Sequence, residues 1–495
     1  MITLGIDIGS SSIKVTLFDT ELGKAIASTA FPANEMKIIA HQHGWAEQHP
    51  ETWMNNLVLA LTLLKNTHAS ALYQTAAIGI SYQMHGLVTV DKSGKPLRDA
   101  IIWCDSRAVS AGNEAFNKLG ESFCLGHLLN SPGNFTASKL GWVRTNEPHL
   151  FDRINKMMLP GDYIAYRLTN EMRTTASGLS EGIMWDYEQN GISSELLNHF
   201  GIAPDMIPEL SETFSVQGFL TAEMASLLGM KTNTPVTYRA GDQPNNALSL
   251  NVLKPGEVAA TAGTSGVVYG VTESKTFDPQ SRVNTFLHVN NTQDQPRLGV
   301  LLCLNSVGIL NAWARQQLMA PGLSYDEMNS FAAKIPEGSD NLLVLPFGNG
   351  AERMLQNKNI GVSIHGLDLT SHNKSHVLRA LQEGIAFAFN YGLEIMKPLG
   401  LNLRVIRAGK SNMFLSPVFA QTLANVSEAS IELYNTDGAE GAARGAAIGA
   451  GIYNSPSEAF AGLKLLQTIE PNHHSAINQY YTKWKRVLKN VLPEK

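Results

Sequence analysis

Two aspartates of this chain, Asp7 and Asp242, have neighbours that suit phosphate chemistry and proton transfer. Asp7 lies beside a tight turn of glycine and serine residues, Gly9–Ser12, with apolar runs on both sides. Small residues in a turn let backbone N–H groups approach phosphate oxygens without an intervening Cβ atom. A carboxylate beside such a turn is suited to holding Mg²⁺ near those phosphates. We therefore predict a phosphate and magnesium site at this turn.

A second turn of the same kind follows about half a chain later. The segment Gly5–Lys14 reads G-I-D-I-G-S-S-S-I-K, and Ala259–Val271 reads A-A-T-A-G-T-S-G-V-V-Y-G-V. Either one alone could be an ordinary β-hairpin whose glycines serve only the geometry of the turn. The pair favours two similar domains that face each other, each with a turn that contacts phosphate.

Asp242 follows a short apolar run, Val236–Tyr238, which predicts a buried strand. A carboxylate at the end of a strand can act as a general base when an acceptor hydroxyl is within hydrogen-bond reach. Aspartate is also a common helix N-cap. The local sequence leaves both interpretations open.

The elements that must position these residues alternate between strand and helix. Residues 2–31 predict an antiparallel meander of three strands, followed by a helix at His49–Leu64 and a strand at Thr75–Ser81. This alternation predicts an α/β fold. We place one domain at residues 1–250 and a second at residues 251–495.

Later segments continue the pattern. The sequence predicts helices at Tyr163–Leu168, Ser375–Met396 and Asp437–Tyr453, and a strand at Leu403–Arg407. In the third helix, glycines recur every four residues and would lie on one face, where they permit close approach of a neighbour. These are Gly441, Gly445 and Gly449.

Composition and charge narrow the class of protein. With 495 residues the chain is too long for one hydrophobic core, and 44% hydrophobic with 16% charged residues is ordinary for a globular protein. A net charge of −5 gives no electrostatic reason to expect nucleic acid or an anionic membrane as a partner. Three widely spaced cysteines, Cys104, Cys124 and Cys303, predict reduced thiols. Because no secretion signal or membrane-spanning run is apparent, we expect a cytoplasmic protein.

Two polar segments follow apolar runs and so are expected at strand ends. Tyr82–Gly86 and Trp103–Asp105 each combine aromatic or apolar surface with hydrogen-bonding groups, the mixture that holds a small polyol. Both could equally supply core and capping residues. A third segment, Arg407–Ser411, ends in G-K-S but lacks the earlier glycine of a P-loop, because position 404 is arginine.

Taken together, these motifs resemble the FGGY family of carbohydrate kinases, from about residue 2 to about residue 455. Within that family Q-M-H-G goes with xylulose. The motifs in this chain are G-I-D-I-G-S-S-S-I-K-V at its start, G-W-A-E-Q at 44–48, Q-M-H-G-L at 83–87, W-C-D at 103–105, G-N-F-T-A-S-K-L at 133–140, L-P-G-D-Y at 159–163, A-G-D-Q-P-N-N-A at 240–247, G-T-S-G-V at 263–267 and D-G-A-E-G-A-A at 437–443.

The resemblance implies two actin-like ATPase (ribonuclease H-like) domains, each with a mixed five-stranded sheet, and a cleft between them that binds ATP and sugar. It implies phosphorylation of D-xylulose at its 5-hydroxyl by ATP with Mg²⁺. Asp242 matches the family's catalytic base and Asp7 the carboxylate near the Mg²⁺–phosphate site. We expect these two aspartates, one from each lobe, to converge on one gap.

Further residues take roles by the same resemblance. The implied sugar contacts are Gln83, Met84, His85, Trp103, Asp105 and Asn134. The implied contacts to ATP are Gly9, Ser10, Ser11, Lys14, Gly263, Thr264, Ser265, Gly409 and Asn412.

Two segments depart from the family pattern. Ala408-Gly409-Lys410 stands where many members have three glycines, and Gly350–Met354 reads G-A-E-R-M where many have Gly-Glu-Arg-Thr-Pro. Rival functions are kinases for ribulose, gluconate or glycerol, and a catalytically silent sugar-binding regulator. The expected partners are a sugar and ATP, with neither nucleic acid nor membrane, and the sequence leaves a homodimer open.

Overall fold

The computed structural model describes residues 1–453 and 456–492, and the chain forms two compact units. The first unit combines Met1–Asn251 with Phe286–Leu298 and Thr436–Leu463. The second combines the remaining segments, Val252–Thr285, Gly299–Asn435 and Lys464–Lys495. The single boundary near residue 250 stays a prediction; the chain first changes unit between Asn251 and Val252.

Strands and helices alternate along the described residues. The strands are β1 (Ile2–Ile8), β2 (Ile13–Asp19), β3 (Lys24–Phe31), β4 (Glu47–Gln48), β5 (Thr75–Tyr82), β6 (Val88–Val90), β7 (Ala100–Ile101), β8 (Lys156–Met158), β9 (Arg173–Thr175), β10 (Trp185–Asp186), β11 (Gly191–Ile192), β12 (Glu209–Ser211), β13 (Phe214–Phe219), β14 (Pro235–Gly241), β15 (Val258–Ala262), β16 (Gly266–Thr272), β17 (Asn284–Leu287), β18 (Leu298–Leu304), β19 (Leu343–Phe347), β20 (Gly361–His365), β21 (Val405–Gly409), β22 (Ser430–Tyr434) and β23 (Leu465–Ile469).

The helices are α1 (Pro50–Tyr73), α2 (Val109–Leu119), α3 (Glu121–His127), α4 (Thr136–Asn146), α5 (Pro148–Phe151), α6 (Pro160–Thr169), α7 (Ala176–Glu181), α8 (Ser194–Phe200), α9 (Ala222–Leu228), α10 (Asp242–Ser249), α11 (Gly308–Leu318), α12 (Tyr325–Ala333), α13 (Lys374–Met396), α14 (Pro417–Ser427), α15 (Gly438–Gly449), α16 (Pro456–Ala459) and α17 (Ile477–Val491). Short 3₁₀ turns occur at Pro204–Met206, Ser339–Asn341, Arg353–Leu355, Lys397–Leu399 and Asn412–Leu415.

The main sheet of the first unit has six strands in the order β13-β14-β5-β1-β2-β3. Strands β1, β2 and β3 form the predicted antiparallel meander, while β5 pairs parallel with both β1 and β14. The expected count of five strands is wrong for this sheet, because β13 adds an antiparallel edge strand beside β14. Strands that are buried on both faces, as β1 and β5 are, read as nearly continuous apolar runs.

The second unit repeats the hairpin and its parallel neighbour. Strands β15 and β16 pair antiparallel, and β15 pairs parallel with β21, which pairs parallel with β22. This sheet has seven strands in the order β17-β18-β16-β15-β21-β22-β23, so the expected count of five strands is wrong here as well. The second predicted hairpin is therefore confirmed, and its turn occupies residues 263–265.

Each unit has its own hydrophobic core. In the first, apolar side chains of β1 and β5 pack against helix α1, with Ile6, Trp53 and Ile80 at most 1% exposed. In the second, side chains of β18 and the long helix α13 pack with Trp484 of α17. Burial of these faces fixes each hairpin in its sheet.

Helix α15 packs unusually close to the first unit's sheet because small residues face each other. A Cβ atom on Gly5 of β1 would lie 1.8 Å from the carbonyl oxygen of Ala439, and one on Gly79 of β5 would lie 2.0 Å from that of Ala442. At this short separation the hydroxyl of Thr3 on β1 can reach the helix, and Thr3 Oγ1 donates to the Ala443 carbonyl at 2.9 Å. The helix therefore rests directly on the backbone of the sheet.

The predicted glycine face of this helix is confirmed. A Cβ atom on each of its glycines would collide with the elements packed against it. The atoms met are Ser249 Cβ at 2.7 Å for Gly441, Tyr238 Cδ1 at 2.6 Å for Gly445 and the Thr237 carbonyl oxygen at 1.9 Å for Gly449. The helix itself is shorter than predicted, because it begins after its N-cap Asp437 and ends at Gly449.

Other predicted elements are present with shifted ends. Helix α1 continues to Tyr73, through a polar stretch that hides its apolar periodicity. Helix α6 begins three residues early at Pro160, a residue preorganised for the first helical position. The strand predicted at 403–407 runs from Val405 to Gly409.

We expect Gly5→Ala to destabilise the first unit, because its methyl group would occupy the space of the α15 backbone. Overpacking of this kind costs roughly 1–3 kcal/mol, which urea unfolding can measure. Gly126→Ala is the matched control: Gly126 lies in α3, and a Cβ atom there meets nothing within 4 Å. Equal unfolding midpoints for the two variants would contradict the close packing of α15.

Candidate active site

The carboxyl ends of three parallel strands meet at one edge of the first unit's sheet. In the order β14-β5-β1, the register places Ala240 beside Ser81 and Ser81 beside Asp7. Asp242 follows directly after β14, and the Gln83–His85 segment directly after β5. Ligands of open α/β sheets bind at the carboxyl ends of strands. This edge is therefore the candidate site of the first unit.

Asp7 is half-buried and lies among charged groups of both signs. It is the cross-strand partner of Lys14, whose Nζ lies 2.5 Å from Asp437 Oδ2. A Cβ atom on Gly438, the first residue of α15, would lie 2.4 Å from Asp7 Oδ2. Burial raises the pKa of Asp7, the Ser81 hydroxyl lowers it, and the negative charge of Asp437 raises it again.

Asp242 is the first residue of helix α10, and the N-cap position belongs to Gly241. No side-chain cap bond forms there, so the N-cap interpretation of Asp242 is wrong. Burial raises the pKa of Asp242 to about 7, and the negative charge of Asp7 contributes to that rise. Both aspartates belong to the first unit, so the expectation of one from each lobe is also wrong.

The first glycine-serine turn carries contacts to two neighbouring loops. Gln48 Nε2 donates to the Ser10 carbonyl at 2.7 Å, and the amide of Met36 donates to the Ser11 carbonyl at 2.8 Å. Trp103 Nε1 lies 3.3 Å from Ser10 Oγ, and the Trp103 side chain is 45% exposed. The predicted phosphate turn and the predicted sugar-binding tryptophan are therefore adjacent.

The Gln83–His85 segment is held from several sides. The amide of Gln83 donates to the Ile8 carbonyl at 2.8 Å, which ties the segment to the end of β1. Met84 is buried against Gly241, since a Cβ atom there would meet Met84 Cγ at 2.6 Å. His85 Nδ1 lies 2.9 Å from the Glu181 carbonyl oxygen, and His85 adopts a left-handed backbone with φ of 62°.

Asp105 and Asn134 are engaged within the protein. Asp105 is fully buried, and its carboxylate accepts the amide of Ala46 at 2.6 Å and pairs with Arg107 at 2.7 Å. Asn134 Nδ2 donates to the Asp105 carbonyl, and its Oδ1 has no hydrogen-bond partner in the described part of the chain. Their predicted contacts to sugar stay predictions, and both have a visible structural role.

Sequence reasoning missed a third carboxylic acid beside Asp242. Glu181, at the end of α7, is 2% exposed, and its Oε2 would lie 2.3 Å from a Cβ atom on Gly241. Burial raises the pKa of Glu181 well above its usual range, and the charges of Asp242 and Asp162 add to the rise. The only signal in the sequence is an acidic residue within a largely uncharged stretch, which is too weak to identify it.

In the second unit, the second turn and the segment after β21 lie together. The carbonyl oxygens of Gly263 and Thr264 accept the first amides of helix α11, at 2.8 and 3.1 Å. A Cβ atom on Gly263 would lie 3.6 Å from Asn412 Nδ2. Gly409 ends β21, the parallel neighbour of β15. These four residues, with Ser265 in the same turn, form the candidate nucleotide segment of this unit.

A buried acid also lies in the region where the chain departs from the family pattern. Glu352 is 1% exposed and accepts the amide of Asn305 at 3.0 Å. Burial raises the pKa of Glu352 to about 7. The hydrogen bond from the Asn305 amide holds the Glu352 carboxylate in place.

Family models match both halves of the chain. The N-terminal domain model of the FGGY family of carbohydrate kinases matches residues 2–249, and the C-terminal domain model matches residues 258–453. The chain belongs to the FGGY family of carbohydrate kinases. It is a two-domain α/β protein with the actin-like fold of that family, as predicted.

Relatives over nearly the whole chain carry kinase names. The chain is 30% identical over 465 residues to a xylulose kinase of Bacillus subtilis, covering 92% of this chain and 89% of the relative. A solved xylulose kinase of Rhodospirillum rubrum has a TM-score of 0.87 at 25% identity, covering 99% of both chains. A gluconate kinase of Lactobacillus acidophilus shares the fold with a TM-score of 0.87 at 22% identity, covering 100% and 99% of the two chains.

The described residues lack two further features. No helix among residues 1–453 and 456–492 is long and apolar enough to cross a membrane. The same ranges contain no cluster of three or more histidine, cysteine or acidic side chains arranged to hold a metal ion.

Asp437 caps helix α15, and its cap hydrogen bonds should contribute to stability separately from its ion pair with Lys14. Asp437 Oδ1 accepts the amides of Ala439 and Glu440 at 2.9 and 3.1 Å. We expect Asp437→Ala to lower the free energy of unfolding by about 1 kcal/mol more than Asp437→Asn, since asparagine keeps the cap. Both variants lose the partly exposed pair with Lys14, which therefore cancels in the comparison. Equal urea midpoints would show that the cap contributes nothing.

Proposed function

We propose that this carbohydrate kinase transfers the γ-phosphoryl group of ATP to the 5-hydroxyl of D-xylulose, giving D-xylulose 5-phosphate and ADP. The observation that carries the proposal is the position of Asp7 and Asp242 at one edge of the sheet, at the carboxyl ends of β1 and β14 on either side of β5, in a chain whose curated relatives are xylulose kinases. A cytoplasmic location and a homodimer stay predictions.

Asp242 is the general base of the proposed reaction. Its carboxylate accepts the proton of the sugar hydroxyl as that oxygen forms its bond to the γ-phosphorus and ADP leaves. A base works best when its pKa is near the working pH, and burial raises the pKa of Asp242 to about 7. The proton ends on Asp242 and passes to solvent after the product leaves.

The turn Gly9–Ser11 and Lys14 are proposed to bind the phosphates, and Asp7 is proposed to hold the Mg²⁺ that accompanies them. The residues present fit Mg²⁺, because a protein usually holds this ion with one or two carboxylates and leaves its other positions to phosphate and water. When bound, Mg²⁺ would offset negative charge on the phosphate oxygens. The half-buried Asp7 carboxylate supplies one such ligand oxygen, direct or through water.

The sugar is proposed to contact the groups nearest to this pair. Gln83, Met84 and His85 form one wall, and the exposed ring of Trp103 adds apolar surface beside the turn. Asp105 and Asn134 are retained as candidate sugar contacts. For ATP we retain the residues of the second unit, Gly263, Thr264, Ser265, Gly409 and Asn412.

We expect Asp242→Asn to lower kcat by about 10²- to 10⁴-fold, because asparagine cannot accept the proton. The affinity for ATP should change little, and binding of D-xylulose should persist in calorimetry. A coupled assay for ADP measures the turnover. An unchanged kcat would remove Asp242 from the chemistry.

The pH dependence of the wild-type enzyme provides a second test of the base. Asp242 must be ionised to accept a proton, and its pKa is raised to about 7. We expect kcat/KM for D-xylulose to fall about tenfold per pH unit below that value. The pKa of Glu440 is also raised to about 7, by burial and by the charge of Asp437. If Asp242 causes the loss of activity at low pH, that loss should be absent from the residual activity of Asp242→Asn. A profile flat to pH 5 would contradict the assignment.

A substrate panel tests the sugar itself. We expect D-xylulose to give the highest kcat/KM among D-xylulose, ribulose, gluconate and glycerol, with ADP release as the readout. A higher kcat/KM for any of the other three would reject D-xylulose as the substrate, while the carbohydrate kinase activity would still stand. Absence of turnover with every sugar, with sugar still bound, would favour a silent binding protein.

A further inference from the structure

A lysine that the proposed reaction does not use lies buried beneath the sugar-binding segments. Lys139, on helix α4, is fully buried. Its Nζ donates to the carbonyl oxygen of His85 at 2.7 Å and to that of Ile102 at 3.0 Å. One ammonium group therefore joins two stretches of chain that are far apart in sequence.

Both carbonyls belong to segments that carry proposed sugar contacts. His85 is itself one of these contacts, and its left-handed backbone is an uncommon conformation for a residue with a side chain. Such a conformation is strained and persists only when its surroundings hold it. Ile102 directly precedes Trp103, so its carbonyl fixes the start of the second segment.

The residues just before Lys139 support the same two segments. Thr136 Oγ1 lies 3.4 Å from the Gly86 carbonyl oxygen, and Asn134 donates to the carbonyl of Asp105. The ring of Phe135 packs edge-on to the His85 imidazole, with centroids 4.8 Å apart. The stretch Asn134–Lys139 thus contacts both segments through four of its residues.

Burying the Lys139 ammonium costs free energy, so the need to fill space does not explain why a lysine is found here. A buried ammonium is unfavourable unless it is paired and hydrogen-bonded. Burial lowers the pKa of Lys139 to about 7, and the negative charge of Asp105 opposes that fall. A leucine or methionine would fill the same space without the cost. The two carbonyl oxygens that accept hydrogen bonds from Lys139 Nζ explain why a lysine occupies this buried position.

We propose that Lys139 is a positioning residue for the sugar: its ammonium holds the His85 and Ile102 carbonyls, and so sets the distance between the two sugar-binding segments. This inference rests on the proposed function, because it concerns how the same site binds its sugar. It assigns Asn134–Lys139, within the G-N-F-T-A-S-K-L motif, chiefly to support of these segments.

Lys139→Met tests the proposal, because methionine keeps an unbranched apolar chain and removes the ammonium. We expect KM for D-xylulose to rise by about 10- to 100-fold, the range for a lost charged hydrogen bond. KM for ATP should change less than about threefold, well under the tenfold step that 1.4 kcal/mol represents. Equal rises of both KM values, or an unchanged KM for the sugar, would overturn the proposal.

Leu140→Ala is the matched control for lost stability. Leu140 is fully buried in the same helix, and its truncation weakens the core without touching either carbonyl. We expect this variant to melt at a lower temperature with its KM for sugar unchanged. If it raised KM for sugar as much as Lys139→Met, Lys139 would have only a general structural role.

Two further measurements separate this inference from the proposed function. Hydrogen exchange without any sugar should be faster at residues 83–87 and 103–106 in Lys139→Met than in the wild type; unchanged exchange would contradict the positioning role. The kinetics are run with whichever sugar the panel selects, so a different substrate leaves the test intact.

If Lys139→Met does not fold, Thr136→Val is the second variant, because valine keeps the shape of threonine and removes only the weaker hydrogen bond to the Gly86 carbonyl. It should raise KM for sugar about threefold, and no rise would count against the proposal.

Discussion

The candidate site depends on the contact between the backbone of helix α15 and the backbone of strands β1 and β5. Only glycine at positions 5 and 79 leaves room for the carbonyls of Ala439 and Ala442. This contact brings the N-terminus of α15, with its cap Asp437 and with Gly438, against the Asp7 carboxylate. The positive end of a helix favours anions within its first turn. A segment more than 400 residues along the chain from Asp7 therefore completes the surroundings of that residue.

The fold, and the strands and turns that carry the candidate site, could be predicted largely from local sequence. The hairpin around Gly9, the strand before Asp242 and the glycine face of α15 each depend on residues within a few positions of one another, and all three are present as predicted. Asp242 was ambiguous between a base and an N-cap. The structure excludes the N-cap, because Gly241 occupies that position, and the role of base stays a proposal. A difference of one residue decides such a role, and propensity cannot resolve it.

The rest of the site comes from contacts between distant segments, which no local pattern encodes. Lys139 appears in the sequence as an ordinary helix residue, and its burial beneath His85 and Ile102 follows from how α4 packs. Glu181 is likewise a lone acid until α7 places it against Gly241. The extra strand β13 and the return of residues 436–463 to the first unit are also long-range outcomes. Charged residues at such places cost free energy to bury, so their presence indicates a specific need.

The charges at the strand edge favour phosphate chemistry over simple anion binding. Asp7, Asp437 and Glu440 lie near Lys14, and Asp242 lies near Asp7. The pKa values of Asp7, Asp242 and Glu440 are all raised, first by burial and then by a neighbouring carboxylate. A turn built only to bind a free anion would be lined by cations and N–H groups. Here a triphosphate would meet repulsion from the carboxylates unless a divalent cation came with it. Together with burial, repulsion from the Asp7 carboxylate raises the pKa of Asp242 to about 7, as a base near neutral pH requires. The acidic edge therefore fits both requirements of the proposed reaction, a cation beside the phosphates and a base beside the acceptor hydroxyl.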